Sequence, residues 1–290
     1  MNIKFLTKLV KTFFRSIMKQ LTFFCFLLCM HFSAKAQTDP LTQVHGARSQ
    51  GMGNLRVHGT DTWSYFNNPG GLAKLESSAI SAGYDSRFGI KELGTVDLVG
   101  AWKIKAGTLG FGVSRYGGKL FNQQSLGLAF ANKLGIVSIG GKLEWFQTQI
   151  EGFGSGNSLI FSLGGMAELS PTFSIGASIS NLNRSKISKD SETRLPTGVS
   201  LGLFYSPISQ FQIHLEVEKD IQIKPIVKAG LEYALKDWIF LRTGINSNPS
   251  RLFFGMGLKS NQFSLDYAYG QNQALGSTNH LSLGFSLTEK

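Results

Sequence analysis

Apolar and polar residues alternate one by one through most of the chain from Ser78 onward. In one such segment the apolar residues are Phe211, Ile213, Leu215 and Val217, and the polar residues between them are Gln212, His214, Glu216 and Glu218. Successive side chains of a β-strand point to opposite faces of the sheet. The period of two therefore predicts strands with one apolar and one polar face, and it does not fit amphipathic helices.

The pattern predicts fourteen strands separated by turn residues. Their predicted ranges are 78–85, 95–103, 106–116, 123–131, 135–146, 157–169, 172–181, 196–205, 209–219, 225–235, 237–246, 251–259, 261–270 and 279–288. The number is even, as in bacterial outer-membrane barrels, and strands of roughly 9 to 11 residues suit a tilted span of the bilayer. We therefore predict an all-β fold, a transmembrane antiparallel up-and-down β-barrel of about 14 strands.

The lengths of the predicted connections alternate along the chain. Those after even-numbered strands are short, for example Ser170-Pro171, whereas those after odd-numbered strands tend to be longer, including Gln147–Gly156, Leu182–Leu195 and Gln271–Thr278. Short periplasmic turns and longer external loops are typical of outer-membrane barrels. A soluble sandwich or propeller could share the alternating strands, but it has no reason to alternate loop lengths.

The two faces of the predicted strands differ in chemistry. One face is rich in Leu, Ile, Val and Phe, and hydrocarbon is a suitable solvent for it. The other carries Gly, Ser, Ala and scattered charges, and its predicted lumen-lining residues include Lys142, Glu144, Glu216, Glu218, Lys228 and Glu232. The charges on neighbouring strands could pair across the sheet, or they could hold a segment inside the lumen or line a conduit.

Aromatic residues gather near both ends of the predicted strands. One set lies near the short turns (Trp102, Phe130, Tyr205, Tyr233 and Trp238) and another near the longer loops (Tyr84, Tyr116, Trp145, Tyr267 and Tyr269). Together they predict two aromatic girdles at the membrane interfaces. Because an unpaired strand edge has no water to bond in hydrocarbon, we expect the first and last strands to pair and close the barrel.

The start of the chain predicts export. Residues 1–36 combine basic residues, an apolar run from Leu21 to Phe32 and the small-x-small sequence Ala34-Lys35-Ala36. This is typical of a secretory signal peptide, and the apolar run is too short for the roughly 20 residues of a spanning helix. We therefore predict a signal peptide over 1–36, an N-terminal plug segment over 37–77 and a barrel over 78–290, located in the bacterial outer membrane.

Composition offers little reactive chemistry. Both cysteines, Cys25 and Cys29, lie in the predicted signal, and the exported part has 23 basic and 18 acidic residues, a net charge of +5. No concentrated basic face predicts nucleic-acid binding. The remaining histidines, at 45, 58, 214 and 280, lack metal-ligand spacing, and no G-x-S-x-G elbow occurs. We predict no metal site, no cofactor and no enzymatic activity.

Two motifs precede the first predicted strand. The first includes Gly51-Met52-Gly53 within Gly46-Ala47-Arg48-Ser49-Gln50-Gly51-Met52-Gly53-Asn54, and the second includes Asn67-Asn68-Pro69-Gly70 followed by Gly71-Leu72-Ala73. They resemble the N-terminal plug of the FadL and PorV/PorQ-type outer-membrane families, with Gly70 where alanine is usual. A plain surface turn leading into the first strand is the alternative interpretation of the second motif.

The resemblance implies a barrel whose N-terminal segment fills the lumen. FadL-type members pass hydrophobic molecules, whereas PorV-type members serve type IX secretion in Bacteroidetes-like bacteria. The short chain and short predicted loops place it nearer to the PorV/PorQ type. Our first hypothesis is nevertheless a FadL-like conduit for small hydrophobic molecules, and the alternative is a PorV/PorQ-like accessory or structural component of type IX secretion machinery. The expected partners are outer-membrane lipid and, in addition, either hydrophobic small molecules or secretion-system proteins.

Overall fold

A computed structural model describes residues 43–188, 192–220 and 224–287 of the chain. The predicted signal peptide over 1–36 and the first six residues of the predicted plug lie outside the described residues.

Fourteen strands form one sheet. Their bounds are β1 Ser78–Arg87, β2 Ile90–Ile104, β3 Gly107–Gly117, β4 Phe121–Leu134, β5 Val137–Ile150, β6 Gly154–Ser170, β7 Phe173–Ser180, β8 Gly198–Ile208, β9 Phe211–Asp220, β10 Ile226–Lys236, β11 Ile239–Ser247, β12 Ser250–Lys259, β13 Phe263–Asn272 and β14 Gly276–Leu287. Each predicted strand corresponds to one of these elements, with differences only at the ends.

The sheet closes on itself as an antiparallel barrel. Each strand pairs with its neighbours in sequence, and β1 pairs with β14 from Ser78 opposite Leu287 to Arg87 opposite Thr278. Closure gives both terminal strands a backbone partner, which the hydrocarbon of a membrane demands. The prediction of a closed, fourteen-stranded, up-and-down barrel is confirmed.

The predicted contrast in connection length is largely wrong. Connections at the end of the barrel where β1 begins and β14 ends have two or three residues, but six of the seven at the other end also have only two to five. The exception is the connection 181–197. Polar residues such as Gln147 and Gln149, predicted as loop, pair with Gln124 and Asn122 in long hairpins instead. At 14 residues each, β4 and β5 exceed the span of a bilayer, so their ladders continue into the polar region where Asn and Gln are soluble.

Side chains alternate between the two faces of the wall as predicted. Outward residues such as Leu128, Leu203 and Leu283 are exposed, whereas the residues between them are mostly small or polar and buried. Trp102, Tyr233 and Trp238 are exposed near the short-turn end, and Trp145 and Tyr267 are exposed near the other. Tyr116 does not belong to the girdle, because it shares the lumen face of β3 with Ser114 and lines a lumen cavity with it.

The described residues before β1 form a compact plug inside the barrel. It contains two one-turn helices, α1 (Ala47–Gly51) and α2 (Ser64–Asn67), and a 3₁₀ helix over Pro69–Lys74. Trp63, Tyr65, Phe66 and Leu72 of the plug are buried against the inner residues Val99, Ala101, Ala129 and Ala131 of the wall. Among the described residues, no helix combines the length and the apolar composition that crossing a bilayer requires.

Candidate functional site

Small residues on the inner wall form the surface on which the plug sits. A methyl group added to Gly112 would overlap the ring of Tyr65, and one added to Gly176 would overlap Val57. Gly110, Gly140, Gly164, Gly202, Gly230 and Gly244 meet plug atoms in the same way. The many glycines of the predicted lumen face therefore leave the space that the plug fills.

The first motif packs on the β10–β13 side of the wall. Met52 fills the space above Gly230 and Gly244. Gly53 has a φ of +86° and would carry a methyl group only 2.8 Å from the carbonyl oxygen of Ile245. Both the left-handed backbone and the close approach require glycine at this position.

The second motif packs on the β3–β6 side. The Asn67 side chain accepts a hydrogen bond from the backbone N–H of His45 at 3.0 Å and donates one to its carbonyl oxygen at 2.8 Å. Asn68 donates to the Val57 carbonyl at 2.7 Å and accepts from the Gly70 N–H at 3.2 Å. Pro69 opens the 3₁₀ helix, close to Gly140 of β5. Because Asn67 and Asn68 are buried, the alternative of a surface turn does not describe this motif.

One ion network joins α1 to the wall. Arg48 donates two hydrogen bonds to Glu232 of β10, at 2.9 and 2.7 Å. Arg242 of β11 also donates to Glu232 and reaches Asp266 of β13 at 2.6 Å. Gly257 of β12 lies between the two side chains, and a methyl group there would overlap both Arg242 and Asp266. The carboxylate of Glu232 raises the pKa of Arg48 well above its usual range, so the plug guanidinium stays charged.

A second network holds the plug backbone. One carboxylate oxygen of Glu216 accepts hydrogen bonds from the backbone N–H groups of Arg56 and Val57, at 2.8 and 2.9 Å. Lys228 donates to Glu216 at 3.1 Å, to Glu218, and to the carbonyl oxygen of Asn54 at 2.6 Å. Four of the six predicted lumen-lining residues thus belong to these two ion networks.

Lys142 and Glu144 lie on the β5 wall and form an ion pair of 3.0 Å with each other. The ammonium group of Lys142 lies 5.1 Å from the ring centroid of Tyr65 and 5.6 Å from that of Phe66. A cation over the face of an aromatic ring is attracted by its quadrupole. Lys142 therefore meets the plug through aromatic rings rather than through an opposite charge, and Glu144 is linked to the plug through Lys142.

Several contact residues were not among the predicted site residues. Asp85 of β1 pairs with His280 of β14 at 2.9 Å and accepts from Gln50 at 2.8 Å, and His45 lies 2.8 Å from Asp97. The alternation of the strands predicted that Asp85, Asp97 and His280 face the lumen, but it did not predict their partners. Burial and, to a smaller extent, the positive charge of Lys74 lower the pKa of His58, a plug residue, to about 4, so His58 is neutral at pH 7.

Cavities lie on both sides of the plug. A cavity at the loop end has a volume of about 100 Å³, and its lining includes the charged residues Arg87, Lys228 and Arg251. The one at the short-turn end has about 350 Å³ and is lined by Arg48, Asp61 and other charged and polar residues. The two share no lining residue. Within the described ranges, no cluster of three or more His, Cys, Asp or Glu residues is arranged to hold a metal ion.

No family model matches the sequence, and no curated protein matches it. Solved structures do match. The CymD monoaromatic hydrocarbon channel has a TM-score of 0.69 at 14% identity, over 87% of this chain and 100% of that one. The Ralstonia pickettii toluene transporter TbuX has a TM-score of 0.66 at 10% identity, over 86% and 100%. A Pseudomonas aeruginosa FadL homologue has a TM-score of 0.58 at 12% identity, over 84% and 98%. The likeness confirms the predicted outer-membrane barrel fold.

Proposed function

We propose that the protein is a passive conduit for small hydrophobic molecules across the bacterial outer membrane. The observation that carries the proposal is the likeness of the whole plugged barrel to a monoaromatic hydrocarbon channel and a toluene transporter, each matched over its full length. A plug that contacts opposite walls limits free passage of water and ions. Passage of a solute then depends on movement of the plug or on the space between plug and wall.

The contacts of the plug support a movable barrier. Much of its attachment consists of ion pairs and hydrogen bonds, such as those of Arg48 with Glu232 and of Glu216 with the backbone at Arg56. Polar cavities adjoin both networks. Water in these cavities can hydrate the charged groups that a shift of the plug would separate.

Uptake in a deletion strain tests the proposal. Cells lacking the gene should accumulate labelled toluene or another small hydrophobic probe more slowly than the parent, and plasmid-borne protein should restore the rate. Purified protein in liposomes should accelerate entry of the same probe. Equal uptake with and without the gene, together with inactive liposomes, would reject the conduit.

The same strain tests the PorV/PorQ-like alternative. No observation on the barrel favours a role in type IX secretion over transport. Unchanged probe uptake combined with loss of secreted proteins from the culture medium would establish that alternative in place of the conduit.

A further inference from the structure

A large apolar hollow opens on the outer side of the barrel wall near the short turns, and eight of its fourteen lining residues also line the lumen cavity at that end. It has a volume of about 640 Å³ and almost wholly apolar lining. The outward residues that line it come from β1, β2, β12, β13, β14 and the β10–β11 turn: Ile80, Ala82, Leu98, Trp238, Leu258, Phe263, Leu265, Leu283 and Phe285. An apolar cavity of roughly 150 Å³ already holds a benzene molecule, so this one has space for a much longer hydrocarbon.

The inner face of the wall explains where the hollow forms. Ser81, Ser264 and Gly284 lie behind it on three adjacent strands and also line the hollow itself. Little space remains on the inner face there, because a methyl group added to Gly284 would overlap the hydroxyl of Ser264 and lie 3.1 Å from that of Ser81. Large outward side chains border the depression, and the rings of Phe263 and Phe285 lie 5.0 Å apart there.

Two basic residues and an indole stand at one rim of the hollow. Lys259 lines both the hollow and the lumen cavity at the short-turn end, and the backbone N–H of Lys259 donates to the carbonyl oxygen of Trp238 at 3.0 Å. The ammonium group of Lys236 lies 5.7 Å from the ring centroid of Trp238. Both lysines are exposed at the end with the short turns, which faces the periplasm in outer-membrane barrels. Lysine and tryptophan at this depth are suited to a lipid headgroup.

We propose that the hollow binds one anionic phospholipid of the inner leaflet. An acyl chain occupies the apolar hollow, and the phosphate contacts Lys259 and Lys236 beside Trp238. Because the wall faces hydrocarbon, the bilayer supplies an acyl chain directly. The positive rim then favours a negatively charged headgroup over a zwitterionic one. This site goes beyond the proposed conduit and does not depend on it.

Native mass spectrometry of the purified protein in detergent with added lipid tests the site. Wild-type protein should retain phosphatidylglycerol several-fold more than phosphatidylcholine. Ala82→Trp fills the hollow from its outer side and should reduce retained phosphatidylglycerol several-fold. Ala177→Trp is the matched control, because Ala177 is an exposed outward alanine on β7 away from the hollow. It should retain lipid like the wild type.

A second variant separates the headgroup from the chain. Lys236→Glu combined with Lys259→Glu should abolish the preference for phosphatidylglycerol while leaving retention of phosphatidylcholine unchanged. Heat-dependent migration on gels checks that every variant is a folded barrel. If the folded Ala82→Trp and Ala177→Trp variants retain equal amounts, or wild-type protein retains both lipids equally, the site is rejected. Leu265→Trp, which fills the hollow from β13, repeats the test should Ala82→Trp fail to fold.

Discussion

Individual residues decide how the plug and the wall fit together. Glycine supplies space on the wall, as at Gly112 beneath Tyr65, and charged residues supply the attachment, as at Glu232. A buried charge is costly unless it is paired and hydrogen-bonded, so each network depends on every member. Two kinds of substitution test these roles separately.

Replacing Glu232 by Gln should loosen α1. The change keeps the size of the side chain but leaves the half-buried guanidinium group of Arg48 and the buried one of Arg242 without their shared carboxylate, a loss of about 3 kcal/mol. Hydrogen–deuterium exchange of residues 43–60 in detergent micelles should therefore rise. Glu192→Gln is the control, because that carboxylate is 95% exposed in its pair with Lys186 and is worth at most about 1 kcal/mol. Equal exchange in the two variants would contradict the prediction.

Replacing Gly70 by Ala should displace the 3₁₀ helix. The added methyl group would lie 2.6 Å from the carbonyl oxygen of Gly164 and 2.7 Å from Cα of Gly165, and overpacking of this kind costs about 1–3 kcal/mol.

The measurement for Gly70→Ala is protease protection of the plug in the folded barrel. Gly141→Ala on β5 is its control, since the nearest atom to the new methyl group would be Leu163 Cδ2 at an ordinary 3.4 Å. The free energy of unfolding of this control should stay within about 0.5 kcal/mol of the wild-type value, and its plug should stay protected. A plug that remains fully protected in Gly70→Ala would show that the wall can yield at this point.

Strands and loops differ in what stabilises them. Strands are fixed by continuous ladders with both neighbours, and most connections are tight hairpins. The connection 181–197 instead depends on side chains: Asn181 donates to the carbonyl oxygen of Leu195 at 2.9 Å, and Leu195 is buried with Phe146, Ile160 and Ile187. This small apolar cluster holds the described part of the loop against β5 and β6.

Shortening Leu195 to Ala should release the loop from the wall. The lost packing and the cavity left behind cost about 2–3 kcal/mol. Thermolysin should therefore cut between residues 182 and 195 faster than in the wild type. Leu182→Ala provides the matched change in the same loop, because Leu182 is 41% exposed, and it should leave the rate unchanged. Similar cleavage of both variants would mean that the apolar cluster does not hold the loop.

The whole molecule is organised by its solvent. Leu, Ile, Val and Phe side chains face outward around the barrel and are exposed to the surroundings, whereas the charges face the plug. In water, molecules with such an apolar surface would aggregate, but in a bilayer the lipid chains solvate it. The depth of a residue in the membrane should therefore set the cost of a charge on the outer face.

Leu128→Arg should destabilise the barrel far more than Leu120→Arg. Both leucines are highly exposed, at 69% and 71%, but Leu128 lies in the middle of β4 and Leu120 in the β3–β4 turn. Arginine near the bilayer midplane costs about 2–4 kcal/mol, whereas near the interface it costs about 0–1 kcal/mol. Unfolding in urea from liposomes, followed by tryptophan fluorescence, measures the difference. Equal destabilisation would place the two residues at the same depth and contradict the prediction.

The period of two determined the strands, their number and the face that each residue occupies, because alternation along an extended chain is a local property. Lys142, Glu144, Glu216, Glu218, Lys228 and Glu232 were predicted to face the lumen on parity alone, and they lie on its inner face. Only the tertiary structure decided which plug atoms they meet. Arg48 and Glu232 are 184 positions apart, and Arg56 and Glu216 are 160 apart. Rules based on sequence spacing describe only local contacts, whereas barrel closure and the position of the plug bring these distant groups together. Solvent depth likewise decided that Gln147 and Gln149 extend a hairpin instead of forming a loop.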